Sequence, residues 1–161
     1  MAFNAYLNCE SIKGESTDQN HPDWIEVVSF SHSLNQPTSG TNGTGGRGAG
    51  RVDFASFVIT KSVDKASVDF NIFCAKGTHI PKVILEICQE TGQNICYLRY
   101  ELENVMIQSV STSGDSSGRP HETIAFVYDK ISWAYTLINN DGSAGTTVGP
   151  KKWNIEINTV E

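Results

Sequence analysis

Long apolar runs are missing from this chain. No stretch of its 161 residues approaches the roughly 18 consecutive apolar residues of a membrane-spanning helix, so stable membrane insertion is not expected. The first residues, Met1-Ala2-Phe3-Asn4-Ala5-Tyr6-Leu7-Asn8, hold neither a basic segment nor an apolar core of signal-peptide length. A cleavable leader is not expected, and export by a route that needs none stays open. Positive charge is scarce: twelve Lys and Arg stand against eighteen Asp and Glu, a net charge of -6, with no basic tail or stripe. Nucleic acid is a poor partner for such a chain, because phosphate neutralisation needs clustered cations. Charged residues of both signs reach only 19%, which suits β-rich structure better than a helical bundle.

Cysteine is sparse as well. The four, at 9, 74, 88 and 96, form no Cys-x-x-Cys pair, and Cys74, His79, Cys88 and Cys96 lack the spacing of a structural zinc site. They are expected as reduced, mostly buried thiols of a chain made in the cytoplasm, although spacing alone leaves disulfide pairing open. The nucleotide-loop ending Gly-Lys-Ser/Thr is absent, as is a Gly-x-Ser-x-Gly elbow, and no pair of carboxylates suggests glycosidase work. No catalytic, cofactor-binding or metal-binding residue is therefore assigned, and the chain is not expected to be an enzyme.

What is present is apolar, aromatic and alternating. Hydrophobic residues make up 39%, with three Trp, five Tyr and seven Phe, enough for one folded domain spanning residues 1–161. Period-two patterning predicts strands over 2–9, 24–34, 51–60, 82–89, 95–111, 122–137 and 152–158. Segment 62–77 fits both strand and helix. Asp64 near its start and Lys76-Gly77 at its end favour a helix, the one helix expected. Residues 38–50 hold six Gly among thirteen residues, with Arg47 the lone charge. Such a segment buries no apolar area and loses much backbone entropy on ordering, so it is either mobile or ordered by a partner. Strand 122–137 carries large apolar groups on both faces: Ile124, Phe126 and Tyr128 on one, Val127, Ile131, Trp133 and Tyr135 on the other. A sandwich buries one face, which marks Phe126, Tyr128, Trp133 and Tyr135 as a candidate subunit interface. The expected fold is mainly β, a two-sheet barrel or sandwich with one helix and a long Gly-rich extended loop.

The ordered features then resemble a known family. Ile12-Lys13-Gly14-Glu15-Ser16 is followed by His21, the Gly-rich loop, Gly50-Arg51-Val52 and Phe57-Val58-Ile59-Thr60-Lys61. Next come Asp64-Lys65-Ala66-Ser67, Cys74-Ala75-Lys76-Gly77-Thr78-His79-Ile80-Pro81, Leu102-Glu103-Asn104-Val105, Pro120-His121-Glu122-Thr123-Ile124 and Trp153-Asn154. Their order and spacing, over nearly the whole chain, resemble the hemolysin co-regulated proteins (Hcp) of bacterial type VI secretion. Val68 departs from the Pro that many relatives carry there.

The resemblance implies a non-enzymatic tube subunit whose hexameric rings stack beneath a VgrG-type spike. A contractile sheath and baseplate drive the tube, whose lumen can carry small effectors. The protein would reside in the bacterial cytoplasm before firing and outside the cell, or in a target cell, afterwards. By the same resemblance, Gly43, Gly45, Gly46, Arg47 and Gly48 belong to a ring-stacking loop. Asp64, Lys65 and Asp69 become candidate lumen or cargo contacts. A lectin-like or other small-ligand-binding sandwich is the competing reading, and it requires a concave polar site at the 139–147 loop.

Overall fold

The protein is described by a computed structural model over residues 2–40, 46–90 and 92–161. Its strands are β1 (Phe3–Cys9), β2 (Ile25–Val27), β3 (Ser29–Ser31), β4 (Leu34–Asn35), β5 (Asp53–Phe54) and β6 (Phe57–Ser62). Helix α1 (Ala66–Lys76) follows, then β7 (Ile80–Gln89), β8 (Cys96–Ser113), β9 (His121–Val127), β10 (Lys130–Ile138), β11 (Ala144–Asn154) and β12 (Thr159–Val160). Every pairing is antiparallel. One sheet runs β12-β11-β10-β8-β7-β1-β2, and a second is built from β8, β9, β6 and β3. Among the described residues the sheets do not close on themselves, so the expected β-rich fold with one helix holds as a sandwich rather than a barrel.

Strand β8 belongs to both layers. Residues 98–103 pair with β10, whereas residues 106–113 pair with β9. The switch falls at Asn104, whose φ of 51° turns the strand. Asn tolerates this left-handed region far better than most residues. On the neighbouring strand the same fold line falls at Tyr128-Asp129, between β9 and β10. The two turning points are tied together: the Asn104 amide donates to the Asp129 carboxylate, and the Asp129 N–H donates to the Glu103 carbonyl at 3.1 Å.

This geometry corrects the two-faced strand expected over 122–137. It is two strands in two sheets, each burying its own side. Phe126 (0% exposed) and Tyr128 (8%) therefore lie in the core and line no subunit surface. Tyr128 also donates its hydroxyl to the Ala55 carbonyl at 2.9 Å, and burial pushes its phenol up to about 12. The strand expected over 24–34 is divided for a similar reason. Val27 pairs with Ala5 in the first sheet and Ser29 with Thr60 in the second, so the chain crosses between layers at Val28. The last long strand is β11, which ends at Asn154, rather than 152–158.

The core gathers Leu7, Ile25, Ile59, Phe70, Ile80, Ile124, Phe126 and Ile131, all fully buried, from both sheets and the helix. Helix α1 starts where the sequence places its signals. The Asp64 carboxylate accepts from the Ala66 N–H at 2.9 Å, and the Ser67 hydroxyl accepts from the Asp64 N–H at 3.0 Å, a reciprocal cap. It stops at Gly77, φ 65°, whose N–H reaches the Cys74 carbonyl.

The thiols require another correction. Cys88 and Cys96, directly opposed across the β7–β8 hairpin, form a disulfide, and only Cys9 and Cys74 are free. Antiparallel register brings residues eight apart face to face, which linear spacing does not reveal. Burial pushes the Cys9 thiol up to about 12, so it stays protonated and inert.

Candidate assembly surfaces

The described parts of the Gly-rich segment, residues 38–40 and 46–50, lie on a two-stranded arm. Its sides are residues 33–40 and 46–55, joined by Leu34 opposite Phe54, Asn35 opposite Asp53 and an isolated bridge between Thr38 and Ala49. The Gly50 N–H donates to the Pro37 carbonyl at 2.9 Å, and the Ser39 N–H to the Gly48 carbonyl at 3.2 Å. Residues 33–40 and 46–51 are all exposed. At the base, the Arg51 guanidinium donates to the Ile155 carbonyl at 2.7 Å, pinning the arm to the turn after β11. Gly46, Arg47 and Gly48 stand exposed on this arm, while Gly43 and Gly45 lie outside the described residues. A lone two-stranded ribbon has marginal stability in water, and beyond Phe54, which packs against the core at its base, this one is held by backbone bonds between exposed residues.

Helix α1 separates the three residues grouped as lumen contacts. Asp64 is committed to the fold: besides capping the helix it pairs with the Lys61 ammonium at 2.9 Å, with its side chain 11% exposed. It is a helix-positioning residue rather than an open contact. Lys65 and Asp69 are exposed. The helix also exposes Val68 (67%) and Ile72 (47%) beside them, an i, i+4 pair that sequence reasoning missed. The inner face, Ala66 and Phe70, is fully buried. An apolar group on both faces is what made this segment ambiguous by pattern.

The anchor beneath the helix is an enclosed polar network. The Lys61 ammonium, 0% exposed, donates to Glu122 at 2.6 Å, to Asp64 at 2.9 Å and to the Ser62 carbonyl at 3.0 Å. The Ser67 hydroxyl donates to the same Glu122 oxygen at 2.6 Å. One lysine thus links β6, β9 and the first turn of α1, fixing which side of the helix faces out.

On the opposite edge, the β10–β11 hairpin carries the remaining interface residues. Trp133 is half-buried, its ring 6.3 Å from that of Phe54 at the arm's base. Tyr135 is 46% exposed and sits directly opposite Val148, which is 53% exposed. Leu137, two residues further along the same strand, is 47% exposed. Leu137 continues the alternation of Trp133 and Tyr135, a signal that was present in the sequence. The hairpin turn is closed by its own bonds: the Asp141 carboxylate accepts from the Ser143 N–H at 3.0 Å and hydroxyl at 2.6 Å, which lowers its pKa from the ordinary value. That tight turn is not the concave polar site a lectin-like reading requires, and residues 144–147 beyond it are strand.

The histidines serve the fold. His21, 2% exposed, lies between Asp18 and Glu86 at 2.7 Å from each. His79 meets the Asn104 amide oxygen at 3.0 Å, beside the fold line of β8. No helix is long and apolar enough to cross a membrane among the described residues.

Comparison with known proteins covers almost the full chain. The sequence profile of the family described as Type VI secretion system effector, Hcp, matches residues 6–135. Protein hcp1 of Pseudomonas aeruginosa is 33% identical over 162 aligned residues, covering 98% of each chain. A solved type six secretion system protein superposes with a TM-score of 0.96 at 33% identity, over 99% of this chain and 100% of the other. Hcp1 from Salmonella typhimurium superposes with a TM-score of 0.81 over 99% and 100% of the two chains. At 24% identity that second likeness speaks to the fold alone.

Proposed function

Since the chain belongs to the Hcp family of type VI secretion proteins and is a structural subunit of the secretion tube, we propose that six copies close into a ring through the exposed side of the β10–β11 hairpin. The observation that supports this is the apolar strip of Tyr135, Leu137 and Val148, three large side chains open to solvent on one hairpin. A ring needs a surface that meets a different surface of the next copy, and such an exposed apolar strip across β10 and β11 suits that role.

Stacking of rings falls to the arm, through Gly46, Arg47 and Gly48 and the adjoining Gly43 and Gly45. Its weak attachment to its own subunit leaves backbone groups for a neighbour, and its ordering entropy keeps stacking weak until the tube is assembled. Lys65 and Asp69, with Val68 and Ile72 beside them, form a mixed surface for small effectors in the lumen. A VgrG-type spike, sheath and baseplate are the remaining partners. In this reading the protein waits in the cytoplasm and leaves the cell with the fired tube.

The deciding experiment is the absolute mass by light scattering, with micrographs of the same peak, for the wild type and for Tyr135→Glu with Leu137→Glu. Six-fold open particles that fall to monomers in the double variant, with an unchanged far-ultraviolet spectrum, are expected. A wild type that stays monomeric at high concentration overturns the ring. A double variant that remains six-fold moves the interface elsewhere.

A further inference from the structure

The disulfide has company. Cys88 and Cys96 sulfurs, a carboxylate oxygen of Glu86 and a ring nitrogen of His21 all lie within 4.8 Å of one another. We propose that when this disulfide is reduced the four residues bind one divalent cation of the zinc class.

The set is not the one weighed from spacing. Cys74 and His79 drop out, and His21 arrives from 67 positions before Cys88 because the loop after β1 folds over the turn end of the β7–β8 hairpin. Two thiolates, an imidazole and a carboxylate are donors that zinc accepts. With its usual bond lengths, the edges of a tetrahedral site are about 3.3 to 3.8 Å, so the longest separations in the cluster must contract by up to roughly 1 Å, while the 2.7 Å between His21 Nε2 and Glu86 Oε2 and the distance between the two sulfurs must open once the S–S bond is broken. The Cys96 sulfur already stands 3.7 Å from His21 Nε2.

The outer contacts are those a metal site requires. His21 Nδ1 lies 2.7 Å from the Asp18 carboxylate, the arrangement that orients a ligating imidazole with Nε2 toward the metal. The ring cannot swing away: it stacks on Tyr6 at 4.3 Å and meets the Trp24 edge at 4.7 Å. Glu86 Oε2 faces His21 Nε2 at 2.7 Å, while its other oxygen accepts from Arg99. Nε2 and Oε2 thus face each other beside the sulfurs, where an ion can take the place of the hydrogen bond between them. An open cavity of about 380 Å³, lined by Glu86, Cys96, Tyr97, Arg99 and Ser132 among others, supplies the path for the ion.

The chemistry balances with one named reductant. A dithiol gives two electrons to the disulfide. The S–S bond breaks, Cys88 and Cys96 become thiols, and the reductant is left as its own disulfide. The cation then displaces the two thiol protons to solvent and replaces the proton shared between Nε2 and Oε2. A small disulfide reverses the sequence and expels the ion. The hairpin end is clamped in either state, by a covalent bond or by a metal.

The test uses the full chain, reduced with a phosphine, desalted without air and titrated with Co²⁺ as the optical probe. One equivalent should produce thiolate-to-cobalt charge transfer and tetrahedral d–d bands, which added Zn²⁺ abolishes. The disulfide form should show neither. Cys96→Ser should lose the charge-transfer intensity of one thiolate, and Asp18→Asn, which only positions His21, should weaken binding about 10- to 100-fold. Cys9→Ser with Cys74→Ser must keep both stoichiometry and spectrum, and this variant leaves the proposed ligands intact should a ligand variant fail to fold. A reduced wild type without the charge-transfer band, or a band lost with Cys9 and Cys74, overturns the proposal.

Discussion

The sandwich core and the arm are made from one chain and obey opposite rules. In the core, Leu7, Ile59, Phe126 and Ile131 are fully buried, and each strand pays its backbone entropy back through packed side chains. In the arm, residues 33–40 and 46–51 are exposed and are joined by backbone bonds, by the Gln36 amide donating to the Gly50 carbonyl at 2.9 Å and by the Ser39 hydroxyl accepting from the Gly48 N–H at 3.2 Å. The core sets whether the protein folds. The arm, with so little of it packed, is expected to have little influence on that. The β10–β11 hairpin lies between these extremes: Ile131 at its start is fully buried, while Tyr135 and Leu137 further along are almost half-exposed.

The largest expected effect comes from breaking the core side of this contrast. Phe126→Ala removes a ring that meets Phe70 of the helix edge-on at 6.2 Å, and should destabilise the protein by about 4 kcal/mol. Leu34→Ala in the arm, 51% exposed, should change stability by less than about 0.5 kcal/mol. Urea unfolding at matched protomer concentration measures both, because self-assembly contributes to apparent stability. Equal losses in the two variants would mean that the arm is part of the folding unit.

A second effect, about 3 kcal/mol, is expected at the joint between core and helix. Lys61→Met leaves Glu122, 1% exposed, without its cationic partner in the interior. Adding Glu122→Leu should recover much of the loss, because a buried ion pair often adds little over apolar residues of similar size. If the double variant is no more stable than Lys61→Met, the network contributes through the Ser67 and Asp64 caps rather than through charge balance.

What could be read from the sequence follows the range of the interactions. Helix α1 was legible because its cap signals, Asp64 and Gly77, are local. The alternations of β1, β6 and β7 were legible because each strand stays in one sheet. Segments 24–34 and 122–137 were misread because their chains change sheets, at Val28 and at Tyr128-Asp129. Alternation continues through a fold line while the buried side switches, so Phe126 and Ile131 seemed to share one strand with two apolar faces. The Cys88–Cys96 pair depended on the register of β7 on β8, and the placement of His21 beside it on a loop of long sequence separation. Leu137 and Val68 were visible as apolar residues, but their exposure is a property of what the tertiary fold leaves uncovered.

The smallest expected effect sharpens the boundary where the arm leaves the core. His32 stands there, its ring 5.6 Å from Phe57, 5.7 Å from Tyr100, 6.1 Å from Trp133 and 6.5 Å from Phe54. Both its ring nitrogens are buried without a hydrogen-bond partner. Burial therefore holds its pKa below the ordinary 6.5. Tyr100, the titratable neighbour in the cluster, is pushed up by burial and stays neutral. The sign follows: between the ordinary and the lowered value the unfolded chain binds a proton that the folded chain refuses, so stability is lost as pH falls below about 6.5 and is fully present above it. His32→Phe should remove that part of the acid loss and add about 1 kcal/mol at neutral pH by deleting two unpartnered nitrogens. Unfolding curves at pH 8 and pH 5 for both proteins measure this, and an unchanged difference between the two pH values would show that the acid limb belongs to other groups. A gain in stability that leaves ring stacking intact would place His32 with the core. Loss of stacking without loss of stability would place it with the arm.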